Sequence, residues 1–168
     1  MITSEDTLPN EAEHLNKMFE AGMEVLHLRK QKFTLIDYKK LLNDINAEYY
    51  KRIMIHDHHE LVSEYGLKGA HLREKYRLSF GPKLKRFISG FKAHDYNVSS
   101  AFHDPNDIKN CSTEFNYTFL SPVFDSISKI GHEGKGFDVS DVKSDVIALG
   151  GINKGNVKAT KKMGGKVS

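Results

Sequence analysis

Short apolar runs alternate along the chain with longer stretches in which apolar positions recur every three or four residues. The short runs carry a strand signature and the longer ones a helix signature. Six runs predict strands, at residues 23–29, 52–56, 69–72, 96–102, 117–120 and 145–149. Between them the periodicity predicts helices over 10–21, from Leu35 to about Tyr50, over 59–65, 82–91 and 105–111, and over 153–163. The punctuation agrees with this division. Pro9 stands near the first turn of the first helix and Gly22 just beyond its end, Thr34 and Asp37 have the spacing of a capping box, Gly66 stops the third helix, and Asp104 precedes the helix that opens at Pro105.

Strand–helix alternation of this kind implies an α/β fold, with a parallel sheet covered by helices. Stubs at 1–3 and 166–168 add two short candidate strands to the six. Six strands and two stubs predict a (β/α)8 TIM barrel in one domain over 1–168, with its first and last strands truncated on one seam. An open doubly wound sheet is the alternative arrangement. The length of 168 residues suits one domain, and no internal repeat, linker or low-complexity tract interrupts it.

Composition narrows the class. Hydrophobic residues make up 39% and charged residues 28%, as in an ordinary globular domain. No apolar run is long enough to cross a bilayer, and the first residues lack a basic segment followed by an apolar core, so neither a membrane span nor a secretory signal is expected. Cys111 is the sole cysteine, which excludes an intrachain disulfide and suits a reducing cytoplasm. A net charge of +3 is too mild to indicate nucleic acid, and the lysines of 158–162 read as a solvated helix face. Small molecules are therefore the expected partners, with neither nucleic acid nor membrane. The oligomeric state stays open, with a homo-oligomer among the forms allowed.

Polar residues gather where the predicted strands end: Arg29, then His56 and Asp57, then Glu74 or Tyr76, then His103, Ser126 to Lys129, and Gly150 with Gly151. In a barrel of this type the active site lies on that face. Gly150-Gly151 follows a strand and precedes a predicted helix, so backbone N–H groups and the helix dipole can hold an anion. Ser126-Ile127-Ser128-Lys129 offers two hydroxyl donors and a cation to phosphate oxygens. Arg29 can present a planar fork to a phosphate, or form a structural ion pair in the barrel mouth. Asp57 is a candidate Mg²⁺ ligand, because that ion commonly takes one or two carboxylates together with substrate phosphates. His103 is a candidate general acid or base, against a structural role. His71 reads as a hydrogen-bonded interior residue and Cys111 as packing. A dinuclear metal hydrolase built on His56-Asp57-His58 is disfavoured, because no aspartate follows the last glycine pair.

Five segments in order carry a family resemblance: Leu26-His27-Leu28-Arg29-Lys30-Gln31, Ile55-His56-Asp57, Gly69-Ala70-His71-Leu72, Ser121-Pro122-Val123-Phe124-Asp125-Ser126-Ile127-Ser128-Lys129, and Ala148-Leu149-Gly150-Gly151-Ile152. Together they resemble the thiamine phosphate synthase and thiazole tautomerase superfamily. The resemblance implies coupling of an aminopyrimidine diphosphate to a thiazole phosphate, with release of pyrophosphate and use of Mg²⁺. It places Arg29 and Lys129 on the diphosphate, and it gives Asp57 to the metal. His27, Lys30, Gln31, His56, Ser100, Ser126, Ile127, Ser128, Gly150 and Gly151 become substrate-binding positions. The chain departs from the family pattern in several places. Gln31 stands at the family's lysine, with Lys30 and Lys32 as stand-ins. His56 replaces the asparagine of an Asn-Asp pair, and Tyr76 occupies the second metal aspartate, with Glu74 as a substitute. The tautomerase branch, with His103 moving a proton and no metal, is the second reading. A non-catalytic binder of phosphorylated ligands is the third.

Overall fold

The computed structural model describes residues 1–123, 139, 142, 145–150, 152, 155, 156 and 158. The Ser126 to Lys129 segment, Gly151 and most of the last predicted helix lie outside these residues. The chain divides into two compact units, one of residues 1–71 and 91–97 and the other of 72–90 and 98–168. All six predicted strands form, each at or within its expected bounds, which establishes the α/β class.

In the first unit, α1 (Glu11–Glu20), β1 (Leu26–Leu28), α2 (Leu35–Asp44), β2 (Ile53–Ile55), α3 (Leu61–Tyr65) and most of β3 (Gly69–Leu72) follow in turn. β1 pairs with β2, and β2 with β3, all parallel. The 1–3 stub contributes a single parallel bridge, from Ile2 to His27. Side chains alternate between the two faces of a strand. Leu26, Leu28, Ile53, Ile55 and Ala70 accordingly join the apolar cluster that includes Leu15, Phe19, Tyr38 and Leu42 of α1 and α2. The intervening positions, His27, Met54 and His71, belong to the other face, and all are buried.

The expected capping box is present. The Asp37 amide donates to Thr34 Oγ1 at 3.3 Å, and the Thr34 amide donates to Asp37 Oδ2 at 3.0 Å. α2 stops at Asp44 instead of running to Tyr50, and a 3₁₀ turn at Ala47–Arg52 follows. Asn16 of α1 enforces the break. Its Nδ2 donates to the Asp44 carbonyl at 3.2 Å and its Oδ1 accepts from the Asn46 amide at 2.9 Å, so the side chain satisfies groups a longer helix would have used. Gly69 is fixed by close packing. A Cβ there would fall 1.9 Å from the Asn97 carbonyl oxygen.

The second unit carries α4 (Glu74–Ser79), most of α5 (Leu84–Ala93), β4 (Asn97–Phe102), α6 (Pro105–Asn110), β5 (Tyr117–Leu120) and β6 (Val146–Ala148). β4, β5 and β6 are parallel neighbours in chain order. α4 was not expected from the pattern. Glu74-Lys75-Tyr76-Arg77-Leu78-Ser79 contains little apolar repeat, and only Arg77 in it is buried. Asp104 caps α6 as predicted, its side chain accepting from the Asn106 amide at 2.8 Å. Gly150 has φ +87°, a left-handed conformation suited to glycine, and a Cβ there would press on Pro122 at 3.0–3.1 Å.

Candidate functional site

In the first unit the parallel register sets Leu28 beside Ile55, and the His56 amide donates to the Leu28 carbonyl at 3.1 Å. Arg29 and Asp57 therefore leave the ends of neighbouring strands almost level with each other. The backbone of Arg29 is locked by Thr3: its amide donates to Thr3 Oγ1 at 2.9 Å, and that hydroxyl donates to the Arg29 carbonyl at 3.0 Å. One guanidinium nitrogen, Nη2, pairs with Glu5 at 2.5 Å. The Arg29 Nε is buried and makes no hydrogen bond among the described residues. A charged donor in that state gains from an anion brought to it. Gln31 reaches the same carboxylate, donating from Nε2 to Glu5 Oε1 at 3.1 Å. Glu5 thus gathers two of the residues expected to meet a diphosphate, and sequence reasoning did not mark it.

Lys30 lies elsewhere. Its side chain is 0% exposed, its ammonium sits 2.7 Å from Glu11 of α1, and it donates to the Asp6 carbonyl at 2.6 Å. Its backbone amide donates to the buried Tyr38 hydroxyl at 3.0 Å. Lys30 is committed to a buried ion pair, and the cation present at this strand end is Arg29. A recess of about 740 Å³ opens nearby, lined by Glu5, Asp6, Lys32, Phe33, Asp37 and Lys40 among others. Neither Arg29 nor Asp57 lines it, but Glu5, the partner of Arg29, does.

Three imidazoles stand on the face of the strands opposite the helices. His27 Nδ1 is 3.0 Å from His56 Nε2, the rings of His56 and His71 stack at 4.2 Å between centroids, and His27 meets His71 edge-on at 5.4 Å. All three are buried. Burial holds the His27 imidazole neutral, its pKa pushed down to about 3. His59 donates to the His71 carbonyl at 3.3 Å, and its own pKa is lowered chiefly by burial.

In the second unit His103 follows β4 with its side chain 55% exposed. Its Nδ1 lies 2.6 Å from the Ser121 carbonyl, an acceptor only, so Nδ1 carries the proton and Nε2 offers a lone pair when the ring is neutral. That Nε2 faces Glu74 at 3.8 Å. Glu74 also lies 3.5 Å from the guanidinium of Arg77, which is buried and stacks on Phe102 at 3.9 Å. Arg77 and its link through Glu74 to His103 were not foreseen. Their signal is a charged residue in a stretch without apolar repeat. Ser100 is fully buried and donates to the Leu72 carbonyl at 2.8 Å, so its hydroxyl is engaged in the fold.

Comparison with known proteins bears on what such a site does. A family model described as thiamine monophosphate synthase matches residues 1–167. The thiamine-phosphate synthase of Caldicellulosiruptor saccharolyticus is 26% identical over 164 residues, covering 92% of this chain and 72% of the relative. That of Dictyoglomus thermophilum is 27% identical over 165 residues, covering 90% and 70%. Among solved structures, thiamine phosphate pyrophosphorylase from Bacteroides thetaiotaomicron aligns over 99% of this chain and 80% of its own, with TM-score 0.69 and 27% identity. The corresponding protein from Pyrococcus furiosus covers 99% and 81% with TM-score 0.71 at 20% identity, and shares the fold.

Proposed function

This chain belongs to the thiamine monophosphate synthase family, and from that premise we propose that it is a cytoplasmic transferase of thiamine biosynthesis, joining an aminopyrimidine diphosphate to a thiazole phosphate with release of pyrophosphate. The fold we propose for it is the (β/α)8 barrel, supported by the parallel strands and the Ile2–His27 bridge ahead of β1.

The observation that carries the assignment is Arg29 at the end of β1, with a buried Nε unpartnered among the described residues, almost level with Asp57 at the end of β2. A guanidinium and a carboxylate at adjacent strand ends suit a diphosphate and its counter-cation. Asp57 would hold Mg²⁺, whose hard oxygen preference this donor satisfies. When bound, Mg²⁺ supplies charge neutralisation to the leaving diphosphate. Arg29 orients the same group and stabilises the charge that builds as the carbon–oxygen bond breaks. The pyrimidine cation is then trapped by the thiazole nitrogen. Lys129, Ser126, Ser128, Gly150 and Gly151 are assigned to phosphate groups, with the left-handed turn at Gly150 supporting that part of the assignment.

One observation favours a second reading. His103 is exposed, and its Nδ1 contact leaves Nε2 to exchange a proton, which is what a thiazole phosphate tautomerase needs. The test is pyrophosphate release from the two substrates, with and without Mg²⁺, in the wild type and in Asp57→Ala and Arg29→Ala. The synthase reading expects Mg²⁺-dependent release that falls at least a hundredfold in either variant. Tautomerisation in EDTA that is lost in His103→Ala, with no pyrophosphate formed, would replace it.

A further inference from the structure

We propose that His27, His56 and His71 form a three-imidazole site for a divalent transition cation of the zinc class. The strand pleat brings them together. His27 sits in the middle of β1 and His71 within β3, on the face turned away from the helices, and His56 follows the last residue of β2. Their exposures are 3%, 5% and 2%. One ligating nitrogen from each lies within 4.8 Å of the other two, and the His27–His56 pair is already at 3.0 Å. Ligands about 2.0–2.1 Å from a tetrahedral zinc stand roughly 3.3 Å apart, so the three nitrogens, once their rings turn toward one ion, supply three of its four ligands. Met54, in register with His27 and fully buried, adds an apolar wall beside it.

The chemistry of the donor set selects the ion. Neutral imidazoles are borderline ligands that favour zinc, cobalt, nickel and copper, whereas Mg²⁺ requires oxygen. Polar packing is the competing account. It satisfies imidazoles pairwise through hydrogen bonds and calls for no particular distance to the third ring. Here a ligating nitrogen of the third ring also lies within 4.8 Å of those of the other two. The cation would tie β1, β2 and β3 together at their C-terminal halves, beside Asp57 but through a different class of donor.

The inference does not rest on the synthase reading, because its test measures metal and not turnover. Full-length protein stripped with a chelator is titrated with Zn²⁺, and separately with Co²⁺. One equivalent should bind with micromolar or tighter affinity. Co²⁺ should give the intense visible bands of a four- or five-coordinate ion. Zinc at a hundredfold excess over its Kd should raise Tm by roughly 5 °C or more. His27→Gln and His71→Gln should each weaken binding at least tenfold, while His58→Gln, outside the triangle, leaves it unchanged. Equal affinity in the wild type and both cluster variants would overturn the site. If either variant fails to fold, the wild type decides alone, and a Co²⁺ spectrum that stays that of the aquated ion overturns the proposal.

Discussion

Replacing Lys30 by methionine isolates the energetics of the one lysine fully buried among the described residues. The substitution keeps the apolar stem and deletes the ammonium that lies 2.7 Å from Glu11 and 2.6 Å from the Asp6 carbonyl. The Glu11 side chain is only 7% exposed, so it would remain as a buried charge without its counter-ion. Breaking such a pair from one side costs about 3–5 kcal/mol. A chain of this size loses about 2.5 kcal/mol per molar urea, so the unfolding midpoint should fall by roughly 1.5 M. Far-UV circular dichroism and tyrosine fluorescence during urea titration read it directly. The double variant Glu11→Leu/Lys30→Met removes both charges and should return to within about 1 kcal/mol of the wild type, giving a coupling energy of several kcal/mol. A loss below about 1 kcal/mol in Lys30→Met alone, the range of a solvated surface pair, would refute the burial and the reasoning built on it.

Glu5→Gln removes the carboxylate shared by Arg29 and Gln31, and the partly exposed pair it breaks is worth at most about 1 kcal/mol. The KM for the diphosphate substrate should therefore fall about two- to fivefold, and an unchanged or higher KM counts against Arg29 as its ligand. Gly69→Ala places a methyl group 1.9 Å from the Asn97 carbonyl and should cost at least about 3 kcal/mol or abolish soluble expression, while wild-type urea stability in this variant would contradict the packing of Gly69. Tyr117 has its phenol pKa pushed up to about 12 by burial, against 10 when unfolded. Its contribution is complete below pH 10 and is lost as pH rises toward 12, amounting to roughly 1.4 kcal/mol by pH 11. Tyr117→Phe should flatten the alkaline stability profile by that amount in urea titrations at pH 9 and 11, and an unaltered slope would show that the phenol is solvated.

The strands were legible because each is a compact apolar run bounded by turn residues. Those signals act over four to seven residues and survive tertiary context. Helix ends were less legible where a distant side chain decides them. Nothing within residues 35–50 announces that Asn16 will claim the Asp44 carbonyl and the Asn46 amide. α4 escaped for a different reason. Its buried residue is an arginine held over Phe102, so its inward face carries no apolar repeat to detect. At the site, sequence order placed Arg29, His56, Asp57 and His103 at strand ends, as the structure has them. It could not say which of two adjacent cations turns inward. Lys30 and Arg29 are neighbours in the chain, and the position of Glu11 on α1 takes Lys30 into a buried pair while Arg29 pairs with Glu5 at the strand end.

The histidines bear on how the metal assignment must be tested. Period-two reading of β1 and β3 puts His27 and His71 on one face, yet each taken singly is an ordinary interior histidine. Their meaning emerges only with the parallel register, which aligns the ends of β1 and β2 and brings His56 to 3.0 Å from His27. The result is an imidazole set and a carboxylate one residue apart, at His56 and Asp57. Imidazoles favour zinc-class ions and a carboxylate favours Mg²⁺, so the two proposed sites would hold cations of different hardness at one strand end. A chelator would strip both, so loss of activity in EDTA would not by itself identify Mg²⁺ at Asp57. Adding back Mg²⁺ to stripped protein separates them. Full recovery without zinc would support catalysis by the Asp57 cation and leave the histidines out of turnover, whereas recovery only with zinc would move the essential metal to the imidazoles.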